Sequence, residues 1–191
     1  AAAGGVTSFL QYLRSADPEY KVVKERIDFA SKLSLIDTSF HFIVSGLEQA
    51  RDIENFSKEF EISTFKFYMG GYSEGNPIGI VTADDGVLYA GMERIRNVGP
   101  YNFCMVHAED HALVEMFTEE VKHSGRNDLQ AYTDSRPDFV EEQDILRAIW
   151  MAELLGCPLY IPHVTIGAAI DAAVAANHRG ARIILETCPH Y

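Results

Sequence analysis

The sequence is poor in positive charge, in cysteine and in long apolar runs. Its 191 residues carry 16 Lys and Arg against 28 Asp and Glu, a net charge of -12, and the basic residues form no run. A nucleic-acid or anionic-membrane surface needs clustered Lys and Arg to meet phosphate, so neither partner is expected. The cysteines, Cys104, Cys157 and Cys188, stand at wide and irregular intervals. An odd number so spaced gives neither a disulfide framework nor a Cys-x-x-Cys metal site, and points to reduced thiols in a cytoplasmic protein. No apolar stretch approaches the ~20 residues of a membrane span. The Ala-Ala-Ala-Gly-Gly start has neither the basic nor the long apolar region of a signal peptide. A phosphate-binding glycine fingerprint is missing too, since Gly4-Gly5 and Gly70-Gly71 lack its spacing, and no Ser or Cys nucleophile arrangement stands out.

What is present is an alternation. Short runs rich in Phe, Tyr, Val and Ile alternate with longer segments of helical period, the signature of repeated βα units and a parallel sheet. Strands are expected near 7–13, 39–45, 63–69, 103–107, 158–164 and 182–187. Asp17-Pro18 reads as a helix start, a capping side chain followed by proline at the first helical position. Further helices fit 48–60, 84–98, 109–123, 138–155 and 167–179, and Gly156 can end the fifth of these six helices in a left-handed cap. Two longer connections, 70–82 and 125–137, read as loops. With 47% hydrophobic residues and no composition break, one domain is the economical organisation.

Three side chains stand at the ends of apolar runs: Lys66 in Phe-Lys-Phe-Tyr-Met, His107 in Met-Val-His-Ala-Glu-Asp and His163 in Tyr-Ile-Pro-His-Val-Thr. In a (β/α)8 barrel each parallel strand delivers its last residues to one face, so such residues converge. Taken singly, a lysine is most often solvated and a histidine most often a hydrogen-bonded core or surface residue. Alternation, however, places Phe65 and Phe67 on one face and Thr64, Lys66 and Tyr68 on the other, so Lys66 points into the barrel if the Phe face packs on helices. A buried amine has a lowered pKa, and its neutral form can capture carbon dioxide as a carbamate able to bridge two cations. His107 shares a face with Phe103 and Met105, and alternation assigns His163 to the face of Leu159 and Ile161. Glu109 and Glu186 are candidate acceptors that orient histidine rings, although Glu109 also reads as a helix cap. His111, four residues from His107, falls at a helix start and is not expected to share a metal with it. His41, His123, His178 and His190 are less persuasive, and Arg136-Pro137 reads as a turn before a helix.

Assembled, the segments resemble the cyclic amidohydrolases, the hydantoinase, dihydropyrimidinase, allantoinase and dihydroorotase group. The matching pieces are Ala-Gly-Gly-Val-Thr from Ala3, Ser-Thr-Phe-Lys-Phe-Tyr-Met from Ser63, Val-His-Ala-Glu-Asp from Val106, and Ser-Arg-Pro from Ser135 followed by Glu141-Glu142. Cys-Pro-Leu-Tyr-Ile-Pro-His-Val-Thr from Cys157 and Glu-Thr-Cys-Pro-His-Tyr from Glu186 complete the set. The resemblance implies a (β/α)8 TIM-type barrel holding two divalent metal ions, usually zinc, bridged by a carboxylated lysine and a hydroxide. Lys66 matches that lysine, His107 and His163 match the two histidines of the second metal, and Tyr72 corresponds to the tyrosine at the scissile carbonyl, set one residue late by Gly70-Gly71. It further implies metal-dependent hydrolysis of the amide bond of a cyclic ureide or imide, and a homo-oligomer. Since a whole barrel takes about 250 residues, the chain is expected to be the central part of one barrel domain, roughly strands two to seven. A His-x-His pair would then precede it and an aspartate ligand follow it, and the 191 residues alone are expected to be inactive. The alternative is a non-catalytic dihydropyrimidinase-related scaffold on the same fold. Such relatives lose metal ligands that are present here, which favours the enzyme.

Overall fold

The structure, a computed structural model, describes residues 1–15, 19–70 and 80–191. After a short 3-10 turn at Ala2–Gly4, six strands alternate with helices: β1 Ser8–Leu13, α1 Lys21–Leu33, β2 Asp37–Ile43, α2 Leu47–Phe60, β3 Thr64–Tyr68, α3 Asp85–Val98, β4 Phe103–His107, α4 His111–His123, α5 Leu129–Asp134, α6 Asp138–Leu155, β5 Leu159–Ile161, α7 Gly167–His178 and β6 Ile183–Leu185. All strand pairs are parallel and the spatial order is β1-β2-β3-β4-β5-β6. A parallel sheet wound in one direction, each strand beside its predecessor in the chain, is the arrangement of an incomplete (β/α) barrel, as expected.

The two faces of β3 explain how the site is oriented. Phe65 and Phe67 are fully buried towards the helices. The Phe65 ring lies 6.1 Å from Phe56 of α2, and Phe67 sits so tightly under α3 that a Cβ built on Gly91 would come within 2.2 Å of it. Phe56 also stacks at 3.9 Å on Phe42 of β2 and meets Tyr20 edge-on at 4.9 Å. Helical spacing supplies the other half of this layer, with Ala50, Ile53 and Phe56 on α2 and Leu88, Gly91, Met92 and Ile95 on α3.

Several helix starts follow side-chain chemistry. Asp84, Asp110 and Asp128 accept hydrogen bonds from Val87 N, Leu113 N and Ala131 N at 2.8–2.9 Å, capping α3, α4 and α5. The last of these overturns one expectation: the 125–137 connection is not all loop, because Asp128 starts a six-residue helix inside it. Likewise α4 begins at His111 rather than at Glu109, since Asp110 takes the capping position and leaves Glu109 outside the helix. Gly156 ends α6 at φ 66°, as expected. The Asp17-Pro18 helix start lies outside the described residues, and α1 begins at Lys21. Inside α6, burial pushes the Asp144 carboxyl up to about 7 although Arg147 lies 2.7 Å away. Arg147 also reaches Asp85 of α3 at 3.3 Å.

β5 is shorter than the expected 158–164 strand. It stops at Ile161 because Pro162 has no N–H to continue the ladder. Pairing resumes one step later, Val164 N donating to Glu186 O at 2.8 Å, with His163 between at φ 50°.

Candidate metal centre

In-register residues of a parallel sheet face the same side, and Lys66 is in register with Met105, which is in register with Tyr160. This inner face also carries Tyr12, Tyr68 and His107, and it walls a cleft of ≈ 560 Å³. Phe65, Cys104 and Leu159 form the opposite, helix-facing set. The expectation that His163 shares a face with Leu159 is therefore corrected, while Ile161 does line the cleft with it. Simple alternation would have sent its ring towards the helices, and the break at Pro162 followed by the left-handed backbone of His163 turns it inward.

Inward, the two histidines meet. His107 Nδ1 lies 3.2 Å from His163 Nε2, with ring centroids 4.9 Å apart. The other nitrogen of His107, Nε2, donates to Glu109 Oε2 at 2.8 Å, which fixes the tautomer and leaves Nδ1 as the lone-pair nitrogen. Glu109 is held in turn by Arg136, whose Nε lies 3.3 Å from Oε1. Burial would raise the Glu109 carboxyl, but the His107 hydrogen bond, the neighbouring imidazoles and the Arg136 guanidinium hold it below the usual carboxylate value. Burial, and then the nearby Lys66, lower His163 to about 4, so its imidazole is neutral at neutral pH.

Lys66 is 1% exposed, and its Nζ has no hydrogen-bond partner among the described residues. The amine lies 5.0 Å from the Tyr68 ring centroid and 6.0 Å from that of Tyr12. Burial lowers it to about 7, against a small upward pull from Cys104 and Glu186. Burial also lowers His41, again to about 4. That residue was set aside on sequence grounds, yet its Nδ1 is 2.6 Å from Thr64 Oγ1 on the strand that carries Lys66.

Sequence reasoning thus brought together Lys66, His107 and His163, and it named Glu109 correctly as an orienting acceptor. It missed the pairing of Arg136 with Glu109, because Ser-Arg-Pro reads as a piece of the family pattern and locally as a turn, with no role for the guanidinium. Glu186 is exposed and makes no hydrogen bond to either histidine among the described residues. His111 turns away to Glu115 at 3.5 Å. Tyr72 lies outside the described residues. The thiols of Cys104, Cys157 and Cys188 are free. Among the described residues no helix is long and apolar enough to cross a membrane.

Among the described residues, no three His, Cys, Asp or Glu side chains converge as a closed metal site. The pair that does converge nevertheless suits an ion: two nitrogens bound tetrahedrally to one zinc at about 2.0–2.1 Å lie about 3.3–3.4 Å apart. The observed spacing is 3.2 Å, one ring is already oriented by a carboxylate, and the Lys66 amine is buried in the same cleft.

No protein-family model matches the chain. It is 28% identical over 195 residues to a D-hydantoinase of Geobacillus stearothermophilus, covering 100% of this chain and 40% of that protein. An allantoinase of Deinococcus radiodurans is 31% identical over 198 residues, with 100% of this chain and 42% of the relative covered. A crystal structure of a D-hydantoinase superposes with a TM-score of 0.85 at 27% identity, over 98% of this chain and 40% of the other. The chain thus spans about 40% of the length of the relatives it matches. Overall sequence and fold agree over nearly the whole chain, and the chain belongs to the cyclic amidohydrolase family, on the barrel fold of the hydantoinases.

Proposed function

We propose that the protein carrying this chain hydrolyses the amide bond of a cyclic ureide or imide with the help of two divalent metal ions, zinc being the first choice. The observation that carries this reading is the 3.2 Å approach of His107 Nδ1 to His163 Nε2 beside the buried Lys66 amine, which has no hydrogen-bond partner among the described residues. In this reading His107 and His163 would hold one ion through the two facing nitrogens, and Lys66, as its carbamate, would supply an anionic ligand to the metal pair.

Each residue has a distinct task. Glu109 and Arg136 keep His107 presenting Nδ1, and the lowered basicity of His163 keeps its lone pair available at neutral pH. With its pKa at about 7, Lys66 has a large neutral fraction near neutrality. Its nitrogen lone pair attacks the carbon of carbon dioxide, a C–O π pair moves to oxygen, and an N–H proton leaves to solvent. The product is an anionic carbamate whose two oxygens suit two cations, whereas an ammonium there would be repelled by them. When bound, the metal pair supplies a water of lowered pKa as nucleophile and polarises the scissile carbonyl. The aromatic rings of Tyr12 and Tyr68 give the cleft an apolar wall against which a small ring can lie. Tyr72 is assigned to the scissile carbonyl.

The test uses the whole protein purified without chelator. Elemental analysis should find about two zinc-like ions per chain. Hydantoin, dihydrouracil, allantoin, dihydroorotate and a simple cyclic imide form the panel, and at least one should be opened, seen as loss of ring absorbance. Lys66→Ala and Lys66→Arg should both fold, lose metal and lose activity, since neither forms the carbamate. A metal content near zero with no turnover after adding zinc, manganese or cobalt would overturn the reading.

A further inference from the structure

His163 adopts a positive-φ backbone conformation that is uncommon for a non-glycine residue, and Pro162 before it has removed a ladder hydrogen bond. Contacts from two other elements hold the segment. On one side, Val164 N donates to Glu186 O, and Thr187 Oγ1 donates to Val164 O at 3.0 Å. On the other side stands Glu141, in the first turn of α6. Its Oε1 accepts from Thr165 N at 2.9 Å and its Oε2 accepts from Thr165 Oγ1. Thr165 is two residues beyond His163, and the carboxylate grips it by backbone and side chain together.

The same end of α6 also holds the loop that carries His107. Asp110 N donates to Val140 O at 3.2 Å, Gln143 Nε2 donates to Asp110 Oδ2 at 2.8 Å, and Arg136, just before the helix, pairs with Glu109. One rigid helix end is therefore tied to both histidine loops. We propose that Glu141 is a positioning residue: by clamping Thr165 to α6 it holds His163 in its inward left-handed turn, and so sets the approach of His163 to His107. The carboxylate is needed for its two acceptor oxygens, because Thr165 presents two donors and a glutamine has only one acceptor oxygen.

The consequence for metal affinity rests on the dimetal reading, whereas the consequence for the histidine pair does not. The experiment reads both on the whole protein, comparing wild type with Glu141→Gln, Thr165→Val, the double variant and the neighbouring control Glu142→Gln. In metal-free protein, ¹⁵N imidazole spectra should show coupling across the His163 Nε2–H···Nδ1 His107 hydrogen bond in wild type and control. It should be lost in Glu141→Gln and Thr165→Val. Zinc titration should show affinity weakened about 10–100-fold in either variant, with the double variant no worse than the weaker single one. Circular dichroism confirms the fold, and Thr165→Val carries the test if Glu141→Gln does not fold. Wild type with the coupling but no zinc binding would remove the metal reading and leave the clamp supported. Coupling kept and affinity within twofold in both single variants, or no coupling in wild type, would overturn the clamp.

Discussion

An amine buried to 1% exposure without a hydrogen-bond partner among the described residues destabilises the metal-free protein. Lys66→Met keeps the length of the side chain and removes the unsatisfied group, so we expect it to raise metal-free stability by about 1–3 kcal/mol while abolishing metal uptake. The sign of the pH dependence follows from the same burial. Because the amine falls from 10.5 to about 7 on folding, the unfolded chain holds more protons between these values. Stability of the wild type therefore rises as pH increases from about 7 to 10.5, and the penalty is fully present below 7. Urea denaturation at several pH values, with carbon dioxide excluded, checks this: the wild-type minus Lys66→Met difference should shrink across that window, and a flat difference would contradict it.

At the scale of elements, α3 lies against β3 at a distance set by the missing side chain of Gly91. Gly91→Ala would drive a methyl into the Phe67 ring, and Phe67 is anchored in a central strand. The expected cost is about 1–3 kcal/mol from overpacking, read as a lower urea midpoint with an unchanged slope. No change in midpoint would mean that the helix shifts freely. These packed elements are also the ones that were legible in the sequence. The β3 pattern predicted which face meets the helices, and the helices expected at 48–60, 84–98 and 138–155 match α2, α3 and α6 to within one residue at each end. What escaped were features decided by single polar or cyclic residues. The six-residue α5 is too short for a period and rests on Asp128, which reads equally well as a turn. His163 was assigned its neighbours' face because alternation was carried through Pro162, where the ladder breaks. The inward direction of Lys66 was readable because β3 is regular; the inward direction of His163 was not, because it depends on a backbone turn held by Glu141 from another element.

For the whole molecule, an ion that binds only the folded state must stabilise it. With free zinc at about 100 times its dissociation constant the gain is about 2.7 kcal/mol, which calorimetry should register as a melting temperature higher by several degrees. His163→Ala should abolish the rise, since one nitrogen of the pair is gone; a rise of equal size in that variant would place the ion elsewhere. The strand order has a different consequence, one for synthesis. Register partners on neighbouring strands are 23 residues apart at the closest, Phe42 and Phe65, and 55 at the farthest, Cys104 and Leu159. The entropy of closing these loops differs by only about 0.8 kcal/mol, and each new strand needs only the edge laid down by its predecessor. The sheet can thus grow by accretion in the direction of translation, every nascent strand docking on an edge that has already left the ribosome.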